Sequence, residues 1–357
     1  MRKKKGQISI GFHWIYILIA GAIILIFFVG IALKQKDVSE QSISATVIQS
    51  LESIFTGAGL AEQTINYIEI PELEIAFTCD LEGYSDYSVG SVKTETPFQP
   101  IFALERVKDN VLVTWTLEWM MPFKVDNYMF VMTPDIRYYL IYDTSSRPLA
   151  SEIEAALPTE ISENINFESL DISEYFGIID KNDYKVRFVF LSDTAFVSSI
   201  PLELQGMADR DVTAMVLSGT LNGGTISFYR KDGSGWMLTG SSPLIGSFTD
   251  DNPNFYGAVF SEGKEQYDCN LRKAFKRLKI SSEIYLERAL QLEPASIPDC
   301  HGIFFPDYFT NSQTGLIARA EQCSEKIEVQ CDLKPNVGDQ IFENNRLLGT
   351  AGCFDIY

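Results

Sequence analysis

The chain has 357 residues, room for roughly two compact domains beside a terminal segment. Its 46% hydrophobic and 12% aromatic content excludes wholesale disorder. The formal net charge is -19, and with six basic and no acidic residues in the first 36 positions, the rest carries 23 basic against 48 acidic residues. Such a surface repels phosphate backbones and excludes nucleic acid as a partner.

The N terminus opens with a basic leader, residues 1–6, containing Arg2, Lys3, Lys4 and Lys5. From Ile8 to Leu33 no side chain carries a formal charge. At about 1.5 Å per residue this run spans a hydrocarbon core of about 30 Å, which predicts a transmembrane helix over residues 7–34. The leading cations place its N terminus in the cytoplasm and the bulk of the chain outside. The span is too long for a cleaved secretory signal, which has an apolar region of about 7 to 15 residues. His13 lies at its cytoplasmic end beside Trp14 and Tyr16, an interfacial position.

The junction Lys5-Gly6-Gln7, followed by Ile8-Ser9, resembles the class III signal peptide of archaeal type IV pilin-like proteins. The resemblance covers about the first 33 residues. It implies cleavage between Gly6 and Gln7 by a prepilin peptidase, and assembly with pilin-like subunits. Gly11, followed by Phe12 and His13, stands where that family carries a helix glutamate, a departure that bears on filament packing.

Beyond Leu33, Val38, Ile43, Val47, Leu51 and Ile54 recur at helical spacing, and Gly57 and Gly59 offer a stop. Residues 35–60 therefore form an amphipathic helix or stalk, either continuous with the preceding span as one rod or separated from it by a hinge over residues 36–42. Residues 61–126 read as a β-rich region. Its expected strands are Ile65 to Ile70, Leu73 to Cys79 (separated by Pro71), and one through Val111, Val113, Trp115 and Leu117. Trp115, Trp119, Met120, Met121 and Phe123 read as a core stripe, with a binding stripe as the other reading.

Residues 127–262 read as an α/β region with a partly parallel sheet. Its expected strands are Arg137 to Tyr142, Lys185 to Leu191 and Val212 to Leu217, with a helix over Leu149 to Leu157 and an edge hairpin turning at Lys231-Asp232-Gly233. The first three strands end in Asp143-Thr144-Ser145-Ser146, Ser192-Asp193-Thr194 and Ser218-Gly219-Thr220. If they are parallel, these ends meet where open α/β sheets bind ligands, which makes Asp143, Ser145 and Asp193 candidate ligands of a metal or small molecule. Turn and capping roles explain the same residue types. The first run also resembles the metal-dependent adhesion motif Asp-x-Ser-x-Ser, with Arg147 where the second Ser should stand.

Residues 263–357 read as a helical, cysteine-rich region. Leu271, Phe275, Leu278, Tyr285 and Ala289 form the core stripe of a helix over Glu265 to Leu292. Arg272, Lys273, Lys276, Arg277 and Lys279 read as its solvated face. The six cysteines, Cys79, Cys269, Cys300, Cys323, Cys331 and Cys353, imply disulfides whose pairing sequence does not choose. A metal site from Cys300, His301, Cys323 and Cys331 is the alternative, although no Cys-x-x-Cys spacing supports it.

The fold class expected is α+β or α/β: an N-terminal transmembrane helix, extended if the rod is continuous, then a mixed α/β extracytoplasmic domain with a disulfide-rich C-terminal region. The function expected is non-enzymatic, a membrane-anchored surface protein serving as a pilin-like accessory or structural subunit. Its partners would be the lipid bilayer, prepilin peptidase and pilin-like subunits, and it needs no cofactor. The alternatives are a membrane-anchored receptor or ligand-binding module at Asp143 and Asp193, and an extracellular hydrolase built on paired carboxylates. No phosphate loop or other nucleotide or hydrolase motif is present in the sequence.

Overall fold

The computed structural model describes residues 8–61, 63–79, 85–96, 98–178, 183–249, 251–296, 300, 303–304 and 306–357. Helix α1 (Ile8–Leu60) runs for 53 residues, continuing through Lys34, Lys36 and Asp37 because no proline interrupts it. Leu18, Leu25, Ile26 and Phe28 are exposed along its first half. Its last part buries Val47, Ile48, Leu51 and Phe55, the 3- and 4-residue spacing that puts one helix face on a core. Its end is capped from the sheet beneath: Gln99 Nε2 donates to the Phe55 carbonyl (2.9 Å) and Asn127 Nδ2 to that of Gly59 (3.1 Å). The Gly59 carbonyl is among those a helix end leaves unpartnered, while the Gln99 bond adds a second acceptor contact to a carbonyl one turn further in.

The reading of residues 7–34 as a transmembrane helix is corrected here. Among the described residues no helix is long and apolar enough to cross a membrane. The uncharged run is not an element in its own right; it is one part of a longer helix whose other part packs on a protein sheet. With the span go the roles derived from it: the anchored surface protein, the anchored receptor, the bilayer, prepilin peptidase and pilin-like subunits as partners, and the topology with a cytoplasmic N terminus and an extracellular domain. The continuous helix also removes the hinge over residues 36–42. The cleavage residues Lys5, Gly6 and Gln7, and the basic leader, lie outside the described residues.

The rest is a mixed α/β structure held by three disulfides. The first sheet has the order β3-β2-β1-β5-β6-β4. Its strands are β1 (Ile65–Cys79), β2 (Ser85–Val89), β3 (Val92–Glu95), β4 (Ile101–Phe102), β5 (Arg106–Met120) and β6 (Lys124–Met132). Pro71 does not divide β1 into two strands: its pairing with β5 shifts register between Glu69 and Leu73, a bulge that accommodates a residue without a backbone donor. Trp115, Trp119, Met121 and Phe123 are buried, so the aromatic stripe is core.

The second sheet has the order β12-β11-β10-β9-β7-β8. Strands β7 (Ile136–Tyr142), β8 (Asn166–Asp171), β9 (Lys185–Phe190) and β10 (Val212–Thr220) are parallel. Strands β11 (Gly223–Asp232) and β12 (Gly235–Leu244) close one edge as an antiparallel hairpin. Both faces of this sheet are covered, which is why its strands read as near-continuous apolar runs. Tyr138, Leu140, Val189 and Met215 belong to the main core, while Tyr139, Ile141, Phe188, Phe190 and Ala214 belong to a second cluster completed by Tyr175, Ile200 and Leu204.

Between the sheets lies α4 (Pro253–Phe260), buried at every position; α2 (Arg147–Ala156) and α3 (Thr159–Asn164) precede it in the chain. Phe260 packs edge-on against Tyr138 of the second sheet and Trp115 of the first, and against Phe130. The C-terminal end of α4 is held by Arg187 of β9, which is fully buried. Its guanidinium donates to the carbonyls of Ala258 (3.0 Å), Val259 (3.3 Å), Ser261 (2.6 Å) and Glu262 (3.2 Å). A cation at a helix C terminus opposes the negative end of the helix dipole and satisfies its orphan carbonyls. Burial lowers the Arg187 pKa to about 10, so the side chain stays charged at neutral pH.

Helix α5 (Lys264–Ala295) packs beneath the first sheet, and α6 (Pro306–Thr310), α7 (Leu316–Glu325) and α8 (Asp339–Thr350) complete the C-terminal region. Its cationic side is not simply solvated, as expected from sequence. Lys273 is buried and donates to the carbonyls of Thr96 (2.9 Å) and Gln99 (3.2 Å). Arg277 pairs with Asp126, a carboxyl that burial pushes up to about 6 even against this arginine, and Lys279 pairs with Glu321 at 2.7 Å. The disulfides are Cys79–Cys269, Cys300–Cys353 and Cys323–Cys331, which leaves no thiolate for the alternative metal site. His301 lies outside the described residues.

Two outcomes follow. Arg187→Ala removes the donor to four carbonyls, three of them buried, and is expected to cost about 3 to 5 kcal/mol, read from urea unfolding. Loop closure predicts that Cys79→Ala with Cys269→Ala, spanning 190 residues, destabilises by ~2 to 5 kcal/mol. That loss should exceed the loss from the Cys323–Cys331 pair, which spans 8.

Candidate functional site

The order of the parallel strands creates a switch point. The chain leaves β7 for β8 on one side, then crosses back to place β9 on the other. The crevice outside the carboxyl ends of β7 and β9 is where sheets of this kind bind ligands; Asp143 follows directly on β7, and Ser192-Asp193-Thr194 follows β9 after Leu191.

Asp143 is the centre of a hydroxyl network. Its Oδ1 accepts from the backbone amides of Ser145 and Ser146 (both 2.9 Å) and from the hydroxyls of Ser145 (2.7 Å) and Ser146 (2.9 Å). The amides belong to the turn that enters α2, so the carboxylate also faces a helix N terminus. Its Oδ2 accepts from Ser192 Oγ at 3.1 Å and from Thr194 Oγ1. These donors, led by Thr194 and Ser145, hold the Asp143 carboxyl well below the usual carboxylate range. No lysine or arginine among the described residues pairs with it.

The three residues singled out from the sequence divide. Asp143 and Ser145 share one network; Asp193 sits on the adjoining turn and accepts from Ser218 Oγ at 2.6 Å, tying the end of β10 to that of β9. Sequence reasoning missed Ser192 and Thr194 as partners of Asp143. Their place after β9 was a signal, but only the strand order, with β7 between β9 and β8, sets the end of β9 beside Asp143. Arg147, in the position where the adhesion motif has its second serine, turns away: it pairs with Asp171 at 3.1 Å and lies over the Tyr142 ring at 5.4 Å. Thr194 is the hydroxyl that reaches the carboxylate instead.

Among the described residues no group of three or more His, Cys, Asp or Glu side chains is placed to share a metal ion. Any cation at Asp143 would therefore be held by one or two carboxylates and neutral hydroxyl oxygens, the donor set of hard ions such as Mg²⁺ or Ca²⁺. Comparison with family models, with curated proteins and with solved structures finds no match to this chain.

The depressed pKa fixes a pH response. A carboxyl more acidic folded than unfolded stabilises the fold above the unfolded value of about 4. That contribution is lost as pH falls through the lower folded value. Asp143→Asn is expected to lower the urea midpoint at pH 7, with the difference from the parent narrowing as pH is taken below 4. An equal deficit at both pH values would show that the charge plays no part.

Proposed function

We propose that the protein is a ligand-binding module that takes a hard divalent cation at the carboxyl ends of β7 and β9, with Asp143 as the anionic ligand and Ser145, Ser192 and Thr194 as neutral oxygen donors. The observation that carries this reading is an ionised carboxylate, ringed by hydroxyls and without a basic partner, in the crevice of a topological switch point. Each hydroxyl has two lone pairs and rotates freely about its C–O bond. It can turn its proton away from Asp143 and offer oxygen to an ion without backbone movement. Asp193, one residue from each of the two β9 donors, supplies a second negative charge nearby.

Binding rather than catalysis fits the electrostatics. A general acid or base works best with a pKa near the operating pH, and the hydroxyl donors move Asp143 the opposite way. A carboxylate that stays ionised over the whole physiological range suits a permanent ligand.

Mg²⁺, Ca²⁺ and Mn²⁺ titrated separately should raise the melting temperature saturably for at least one ion, by mass action on the folded state. Asp143→Ala should weaken the affinity at least tenfold, and Ser145→Ala with Thr194→Ala should weaken it while leaving the fold intact by circular dichroism. No saturable shift with any of the three ions would remove the proposal.

A further inference from the structure

At the opposite end of the same parallel strands a second cleft of about 460 Å³ opens between the two sheets. It gathers three arginines from three elements: Arg106 at the start of β5, Arg230 on β11, and Arg210 on a short 3₁₀ turn (Asp209–Asp211). The turn is fixed from behind by Lys231, whose Nζ donates to the carbonyls of Gln205 (2.9 Å) and Met207 (2.6 Å) and pairs with Asp209 at 3.0 Å. Arg230 is placed by register, opposite Thr213 of β10, which also lines the cleft.

In a chain with 48 acidic against 29 basic residues, carboxylates are available to pair with most cations, and several of those near the second sheet do pair. Lys185, Lys231, Lys264, Arg137 and Arg277 all have one. Arg106 and Arg230 form no ion pair among the described residues, and Arg210 meets only its neighbour Asp211, at 3.6 Å. The glutamates of the cleft do not supply the missing charge. Glu262 is taken by Lys185, 2% exposed, at 2.6 Å, and by the backbone amide of Glu105 at 3.0 Å. Glu265 pairs with no arginine among the described residues. Glu105 is the carboxyl whose field reaches both Arg106 and Arg230; desolvation and the neighbouring Glu262 raise its pKa, and it is in ion-pair contact with neither arginine among the described residues.

We propose that this cleft binds a small dianion, a phosphate monoester or a dicarboxylate, through Arg106, Arg210 and Arg230. Planar guanidinium forks match the paired oxygens of either group. Three guanidinium groups lining one cleft, with Arg210 and Arg230 exposed to solvent, raise the local potential toward an anion. The fixed backbone behind each arginine limits the ordering lost on binding. Glu105 and Glu265, on the same wall, are placed to accept hydrogen bonds from hydroxyl or amine groups on the remainder of the ligand, which gives the site a means of preferring a substituted anion over the bare ion.

The test uses the full chain with inorganic phosphate and succinate as separate probes, each against sodium chloride of equal ionic strength, read by calorimetry and thermal shift. At least one probe is expected to bind saturably. Arg106→Gln with Arg230→Gln should weaken that binding at least tenfold and remove the probe-dependent shift, while Asp143→Ala leaves it unchanged. The stronger probe identifies the anion class. If neither probe differs from chloride, or if the double variant binds as the parent does while keeping the parent's unfolding midpoint, the site is refuted. Should the double variant prove unstable, Arg210→Gln, on an exposed turn, must lower the affinity at least threefold for the inference to stand.

Discussion

The buried guanidinium of Arg187 is the contact on which the arrangement of the two sheets depends. It stands on the face of β9 that looks toward the first sheet, and it is held by four carbonyls at and just beyond the end of α4. An isolated charge in that position would cost several kcal/mol. The helix end offers what a charge needs there, a cluster of unpartnered carbonyls carrying the negative end of a dipole. Once α4 is fixed in this way, Phe260 meets Tyr138 on one side and Trp115 and Phe130 on the other, and the apolar core becomes continuous across both sheets.

The chain leaving α4 carries that constraint to the surface. Glu262 follows directly, meets Lys185 at the amino end of β9, and accepts the amide of Glu105 from the first sheet. Two residues later α5 begins, so the wall of the arginine cleft is built from the same few residues that join the sheets. The hydroxyl cluster around Asp143 lies at the other end of the parallel strands. The two candidate sites thus lie at opposite ends of the parallel strands, a separation that parallel strands allow because all their amino ends face one way.

The C-terminal region is tied to this frame by covalent and ionic links that sequence spacing does not reveal. Cys79 at the end of β1 reaches Cys269 on α5 across 190 residues. Lys273 and Arg277, one and two turns further along, fasten the same helix to the Thr96 and Gln99 carbonyls and to Asp126. The long helix α1 is attached at its far end by four buried apolar side chains and by the Gln99 and Asn127 caps, so its orientation is set by the first sheet.

Much of the secondary structure was legible because it depends on local pattern. Apolar runs of six or seven residues ending in Asp, Ser and Thr marked β7, β9 and β10, and the stripe from Leu271 to Ala289 marked α5. The same local evidence misled at two places. An uncharged run records how side chains prefer to be solvated, not what the helix packs against; of the two readings offered for residues 35–60, α1 takes the continuous rod, and its last part is seated on a sheet. Pro71 reads as a break until a partner strand absorbs it in a bulge. By itself the sequence determined the strands β5, β7, β9 and β10, the helix α5 and that Asp143 and Asp193 would stand at strand ends, since these follow from neighbours a few positions apart; β2, β3, β6, β8 and α4 carried no such local signal. Only the tertiary structure decided that Ser192 and Thr194 complete the Asp143 network, that Arg187 caps α4, that Cys79 joins Cys269, and that Arg106, Arg210 and Arg230 share one cleft. Each of these joins residues tens to nearly two hundred positions apart, and strand order and handedness, not local preference, choose such partners.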